Sequence, residues 1–286
     1  MISKRHFLSV LVSASLLAIT SSAYAAAQTP EMKIIRVGVV GEYNDQWETV
    51  NELLKPEGIQ VELVKYSDYA TPNRALADGE IDLNAFQHKA FLANDIKRNG
   101  YKIVAIGDTM MTPLRIYHNK EKIKSLSDIK DGDTIAIPSD LTNGGRAIKL
   151  LEAAGLVTVD PAAGFVPTKL DITNYKVKIT IREAESGILA RLLPDFTAAV
   201  INGGNAYTAG LDGQTDAIFA ENLDPKTNPQ VADLVNVIVA RESDKENPAY
   251  LKVVKAYQTP QTAKTIMTAY KGAFIPAWNG AEKYTY

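Results

Sequence analysis

Ile34-Ile35-Arg36-Val37-Gly38-Val39-Val40 is a nearly unbroken apolar run rich in β-branched residues. Such a run has no polar face to show solvent, so it reads as a parallel strand buried on both sides. The residues around it alternate in the same style. A polar stretch with helical spacing passes through Trp47, Val50, Leu53 and Leu54, and Val61 to Tyr66 reads as a second strand. Asn73 to Ala77 forms a short helix stopped at Gly79, Ile81 to Ala85 begins the next strand, and Tyr101 to Gly107 is another. Strands alternating with helices predict βαβ units, and hence an α/β fold.

The middle of the chain repeats the pattern. Thr134 to Pro138 is a strand; Asp140 or Thr142 caps the helix through Arg146, Ile148, Leu150, Leu151 and Ala154, which Gly155 ends. Lys176 to Ile181 alternates. Ala198 to Ile201 is a buried strand stopping in the turn Asn202-Gly203-Gly204, and Leu234 to Val239 is a further strand. From Pro248 to Ala273 the spacing is helical, broken at Thr259-Pro260 because proline cannot continue a helix from within. Two α/β units are therefore expected, with a crossover near Tyr117 to Lys120 and the C-terminal helices returning to the first unit. The expected division is 33–117 with 231–286 as lobe 1 and 118–230 as lobe 2.

The start of the sequence reads as a leader. Lys4 and Arg5 precede an apolar run from Phe7 to Ile19, and Ala23-Tyr24-Ala25 has the form of a cleavage site. Cleavage after about Ala25 leaves 261 residues with 29 basic and 33 acidic side chains, a net charge of −4. A mildly acidic chain with no basic run argues against a nucleic acid or an anionic membrane as partner. There is no cysteine. That excludes disulfides, thiolate nucleophiles and Cys-ligated metals, and it removes the residue that a bacterial lipoprotein acylates. An exported, periplasmic protein without a lipid anchor is expected.

Enzyme motifs are missing: no G-x-S-x-G, H-E-x-x-H, P-loop or G-x-G-x-x-G occurs. Beyond the leader only His88 and His118 remain, thirty residues apart, which is a poor basis for a metal centre. No cofactor is expected. What stands out is a set of residues just past strand ends, where open α/β sheets bind ligands. Tyr66 and Tyr69 follow the second strand, Phe86 and His88 follow the strand begun at Ile81, Asn143 and Arg146 open a helix, and Asn202 ends a strand. A helix start and an arginine fork suit a carboxylate, aromatics suit an apolar side chain, and asparagines both donate and accept. Taken singly, Arg146 is a solvated helix residue, Asn202 a turn former, Phe86 and Tyr66 core, and His88 a partly buried, hydrogen-bonded histidine. Together they suit a small zwitterion.

Several segments resemble a known family, the methionine-binding components of ABC importers (MetQ/NlpA lipoproteins). They are Tyr66-Ser-Asp-Tyr69-Ala-Thr-Pro72-Asn73, Gly79-Glu-Ile-Asp82-Leu-Asn84-Ala-Phe86-Gln87-His88-Lys89, Ser125-Leu126-Ser-Asp128, Ile137-Pro138-Ser-Asp140-Leu-Thr142-Asn143-Gly-Gly145-Arg146, Ala199-Val200-Ile201-Asn202 and Val235-Asn236 through Glu242. The resemblance implies a two-lobed periplasmic-binding-protein fold holding one amino acid between the lobes, for delivery to a permease driven by an ATPase. It implies an aromatic cage of Tyr66, Tyr69 and Phe86 with His88 beside it. Arg146 and the helix start at Asn143 would meet the carboxylate, Asn202 and Asn236 the amino group and remaining polar atoms, with Tyr117 a further candidate. It implies a monomeric, non-enzymatic carrier of L-methionine. A methionine-containing dipeptide, another amino acid, or an exported enzyme on the same scaffold are the alternatives. The chain departs from the family pattern in lacking the lipobox cysteine, in Leu141 where relatives carry proline, and in Gly203-Gly204 where relatives are bulkier. Arg115 adds an extra cation.

Overall fold

The computed structural model describes residues 32–284. The expected leader, residues 1–25, lies outside them.

The first lobe opens with β1 (Lys33–Val40), α1 (Asp45–Leu54), β2 (Ile59–Tyr66), α2 (Thr71–Ala77), β3 (Leu83–His88), α3 (Lys89–Asn99), β4 (Ile103–Asp108) and the short β5 (Met110–Met111). The second contains β6 (Arg115–His118), β7 (Thr134–Pro138), α4 (Leu141–Ala153), β8 (Val157–Val159), β9 (Ile172–Tyr175), β10 (Thr180–Ala184), α5 (Leu189–Leu192), β11 (Ala198–Ile201), α6 (Gly203–Thr208) and β12 (Ala217–Ala220). The chain then returns through β13 (Asn236–Arg241), α7 (Pro248–Tyr257), α8 (Pro260–Ala269) and β14 (Ile275–Pro276).

Two five-stranded sheets result, in the orders β2-β1-β3-β13-β4 and β10-β7-β11-β6-β12. Each has a parallel trio, β2-β1-β3 or β10-β7-β11, followed by one antiparallel strand. That antiparallel strand is β13 in the first sheet and β6 in the second. Each sheet thus takes its reversed strand from the chain as it arrives from the other lobe. The geometry has one consequence for the site. The carboxyl ends of the parallel strands and the start of the reversed strand lie at the same edge, and both lobes present that edge to the cleft.

Helices cover both faces of each sheet. In the first lobe α1, α7 and α8 bury Trp47, Val50, Tyr257 and Ile266 against β1, while Leu76 and Leu92 of α2 and α3 close the other face. In the second, Ile148 and Leu151 of α4 pack on Ile135, Ile137 and Val200. Leu189 and Leu193 pack on the opposite face with Ala136 and Ala199. Thr259 caps α8 by accepting from the Thr262 N–H at 3.2 Å, with Pro260 in the first turn, so the helical tail breaks where proline predicts.

Several sequence readings shift. Tyr117, expected at the crossover, sits inside β6 of the second sheet, so the chain has already crossed before it. The strand read at Lys176–Ile181 forms instead at Thr180–Ala184, where β7 offers a parallel partner. Strands β6 and β12 were not foreseen. At four residues each, they owe their existence to pairing with neighbours distant in sequence rather than to their own pattern.

Candidate ligand-binding cleft

The facing edges enclose about 490 Å3 of atom-free space, mouth included, within the range of small-molecule sites. Its lining follows the topology. Gln87 and His88 end β3, Asn143 and Arg146 follow β7, Asn202 follows β11, Asn236 begins β13, and Leu114 precedes β6.

The wall from the first lobe is aromatic. Tyr69, Phe86 and Phe91 form a triangle with ring centroids 5.9 to 6.0 Å apart, mostly edge to face. The His88 ring lies 6.2 Å from Phe91 and perpendicular to it. Tyr43 stacks on Phe274 at 5.0 Å on a second side of the cavity. Burial pushes the Tyr69 phenol well above its ordinary range, so it stays neutral and hydrogen-bonding.

His88 has a defined tautomer. Its Nδ1 accepts from the Phe91 N–H at 3.1 Å and so caps α3. A nitrogen that accepts carries no proton, so the proton sits on Nε2, which donates to Asn143 Oδ1 at 3.2 Å. Burial first, and the Arg146 charge second, lower the His88 pKa to about 3. The residue is a neutral link between lobes, a weak base whose one lone pair is already engaged by the α3 cap.

The wall from the second lobe is polar and centred on Asn143. Its Oδ1 accepts from His88, from Arg146 Nη1 at 3.2 Å and from Asn202 Nδ2 at 2.9 Å. Its Nδ2 donates to both oxygens of Asp140. Asp140 also caps α4, accepting from the Asn143 N–H at 2.9 Å. The helix start expected to meet a ligand carboxylate is therefore already occupied by a carboxylate of the chain. Arg146, only 5% exposed, forms a two-pronged ion pair with Glu221, Nε to Oε1 at 3.1 Å and Nη2 to Oε2 at 2.6 Å. Glu221 Oε2 also accepts from the Leu114 N–H. Nη1 and Nη2 each keep one N–H free of these three bonds.

Among the described residues the buried Asn202 Oδ1 has no hydrogen-bond partner. Buried polar atoms are nearly always paired, so an open acceptor on a cavity wall marks a place for a donor from outside the chain. Beside it, Gly203 and Gly204 bring the start of α6 close to the first lobe. A Cβ on Gly204 would lie 2.3 Å from the Tyr43 ring, and one on Gly203 would lie 2.0 Å from Thr112 Oγ1. The glycines narrow the cleft by letting the lobes approach, rather than widening it.

Of the nine residues singled out from sequence, Tyr69, Phe86, His88, Asn143, Arg146, Asn202 and Asn236 line the cavity; Tyr66 and Tyr117 do not. Tyr66 packs beside the β3–α2 core and only its neighbours reach the cleft. Tyr117 is buried on the far face of the second sheet against Leu189 and Leu193. Sequence reasoning missed Tyr43, Phe91, Thr112, Leu114, Leu234 and Phe274. Phe91 carried a signal, being the second aromatic flanking His88. Leu234 and Phe274 carried none, since chain distance hides them. His118 is apart from the site, its Nδ1 donating to the Asp216 carbonyl at 3.0 Å.

Comparison with known proteins agrees with this geometry. The sequence profile of the family described as NlpA lipoprotein matches residues 35–278. The chain is 39% identical over 248 residues to the D-methionine-binding lipoprotein MetQ of Salmonella typhimurium, covering 85% of this chain and 88% of that one. It is 40% identical over 259 residues to outer membrane lipoprotein 3 of Mannheimia haemolytica, covering 90% and 95%. Among solved structures, a nutrient-binding protein from Burkholderia cenocepacia bound to methionine superposes with a TM-score of 0.79 at 36% identity, covering 85% and 100%. The substrate-binding protein of a methionine transporter from Streptococcus pneumoniae gives 0.80 at 36% identity, covering 86% and 96%. This chain belongs to the NlpA lipoprotein family.

Proposed function

We propose that the protein is the extracytoplasmic solute-binding component of an ABC importer, that it holds L-methionine or a close analogue between its lobes, and that it delivers the amino acid to a permease. The observation that carries this is the unpartnered Asn202 Oδ1 on the polar wall, facing the same cavity as the Tyr69–Phe86–Phe91 triangle. An α-ammonium would complete the open acceptor. The free N–H groups of Arg146 would take the carboxylate, and the aromatic triangle would enclose a thioether, whose sulfur favours ring edges. Asn236, whose Cα pairs with His88 across β3 and β13, supports the same end of the ligand. Because Arg146 is already neutralised by Glu221, a ligand of zero net charge fits the site better than an anion.

A binding role without turnover follows from the same residues. His88 is neutral and bonded at both nitrogens, its lone pair taken by the α3 cap, so it is poorly suited to act as a general base. The relatives named as lipoproteins support an extracytoplasmic location. We read it as a monomer working with a permease and its ATPase. Native mass spectrometry before and after unfolding, followed by calorimetry of the stripped protein with L- and D-methionine, tests the reading. A released mass equal to methionine, and saturable binding restored on adding it, are expected. Absence of saturable binding for any amino acid or short peptide would overturn it.

A further inference from the structure

A second cavity lies on the far side of α6 and encloses about 1150 Å3 of atom-free space, mouth included. The second lobe lines it with Arg115, Tyr207, Asp212 and Gly213, and the first with Tyr270 and Lys271. It stands back to back with the cleft. Leu114 lines the cleft and Arg115 this cavity; Phe274 lines the cleft and Ala273 this cavity; α6 reaches the cleft with Gly204 and this cavity with Tyr207.

Its electrostatics are unbalanced. Neither Arg115 nor Lys271 forms an ion pair among the described residues. Arg115 Nη1 is buried with no hydrogen-bond partner. Gly213 lies flat against the guanidinium, where a Cβ would sit 2.7 Å from Cζ, so backbone covers that face. The nearby Tyr117 phenol is raised by burial, an effect offset in part by the Arg115 charge and a hydrogen bond from Arg115; it stays neutral, so it is no counter-ion. Asp212, on the same lining, contributes one negative charge, its Oδ1 held by the N–H groups of Gln214 and Thr215, so against Arg115 and Lys271 the lining keeps an excess of one positive charge; Asp216 is paired with Lys120. A partly buried guanidinium with an unmet donor, sharing a cavity lining with an exposed lysine, suits an oxyanion: the planar fork orients two oxygens and the lysine adds a point charge.

We infer that this rear cavity binds a small oxyanion, a phosphate, sulfate or carboxylate group, between Arg115 and Lys271. The two cations come from different lobes, so the anion ties them together and favours the arrangement in which the cleft is closed on its ligand. The coupling half of this inference rests on the proposed amino-acid ligand; the anion site does not. By linkage the anion then tightens the cleft ligand and the cleft ligand tightens the anion by the same factor.

The test is calorimetric titration of the full chain with inorganic phosphate, and separately with acetate, each at constant ionic strength set by chloride. Saturable phosphate binding is expected in the wild type, weakened at least tenfold in Arg115→Gln and in Lys271→Gln. Lys271 is exposed at the mouth, so its variant keeps the native fold if the Arg115 variant does not. Acetate binding with phosphate silent would place a carboxylate there and still support the site. Phosphate and acetate both indistinguishable from chloride, or variants that bind as the wild type does, would overturn it. L-methionine titrated with and without saturating phosphate should bind several-fold tighter with it, and equally in the variants. Phosphate binding without that gain would sink the coupling and leave the site. Methionine failing to bind while phosphate binds would sink the ligand reading alone.

Discussion

Two buried polar networks flank the cleft, each centred on asparagines and opposite in completeness. Behind the aromatic wall, Asn73 Nδ2 donates to Gln87 Oε1 and to Asp95, both at 2.8 Å. Its Oδ1 accepts from Asn84 and Gln87, and Gln87 also donates to Asn84 at 3.0 Å. A bulge makes this possible: β3 advances from Asn84 to Gln87 while β13 advances only from Val239 to Val237, so residues an odd number apart reach the same cluster. None of its side-chain atoms is left unpaired. The network around Asn143 has the same density of bonds but ends in an open acceptor at Asn202 Oδ1. The closed network fixes the wall's shape, and the open one waits for a donor. Completeness of hydrogen bonding, not the asparagine itself, separates the structural asparagines from the one proposed to bind.

Substitutions on either side sharpen that contrast. Arg146→Ala should have the largest effect, because it leaves Glu221 buried without its partner: a loss of about 3–5 kcal/mol in denaturant unfolding, together with ligand binding. A variant unfolding within about 1 kcal/mol of wild type would show that Glu221 is not held by the pair. Asn73→Leu strands Gln87, Asn84 and Asp95 and should cost about 3 kcal/mol of stability. Methionine affinity at temperatures where it stays folded should change little; a large affinity loss would break the division between the two networks. Asn202→Ala should do the reverse, weakening methionine binding about 10- to 100-fold with stability lowered by only about 1 kcal/mol.

A further effect is one of pH. The folded His88 pKa, about 3, lies below its ordinary 6.5, so between these values the unfolded chain binds the extra proton. Stability from this residue is intact above pH 6.5 and falls as pH drops, by about 1.4 kcal/mol per unit. His88→Asn keeps an acceptor for the α3 cap and removes the titration, so thermal midpoints measured from pH 7 to 4 should fall less steeply than wild type. Identical slopes would mean other groups dominate.

The same division explains what could be read in advance. The signature Asn84-Ala-Phe86-Gln87-His88 stood out as a unit, yet its members do different work. Phe86 and His88 face the cleft, Asn84 locks the wall to α2, and Gln87 does both, lining the cavity while bonding Asn73 and Asn84. Local pattern cannot separate them, because the bulge that re-aims them is set by pairing with β13, some 150 residues on. Arg146 was legible as a site residue from its place one turn into a helix after a strand. Its ion pair with Glu221 was not, since nothing near Glu221 in the chain announces it.

From the sequence alone came the α/β class, most of the parallel strands, the break at Thr259-Pro260 and seven residues of the cleft. The elements and six of these residues follow from hydrophobic periodicity and from strand ends, both local properties; Asn236 came only from the family resemblance. Tertiary structure alone decided that Tyr117 belongs to the second core and that Phe274 and Leu234 return to close the cleft. It also decided that Asp140 already occupies the α4 start and that Gly203-Gly204 draws the lobes together rather than enlarging the pocket. Each of these depends on contacts between segments far apart in the chain, and sequence spacing carries no measure of distance in space.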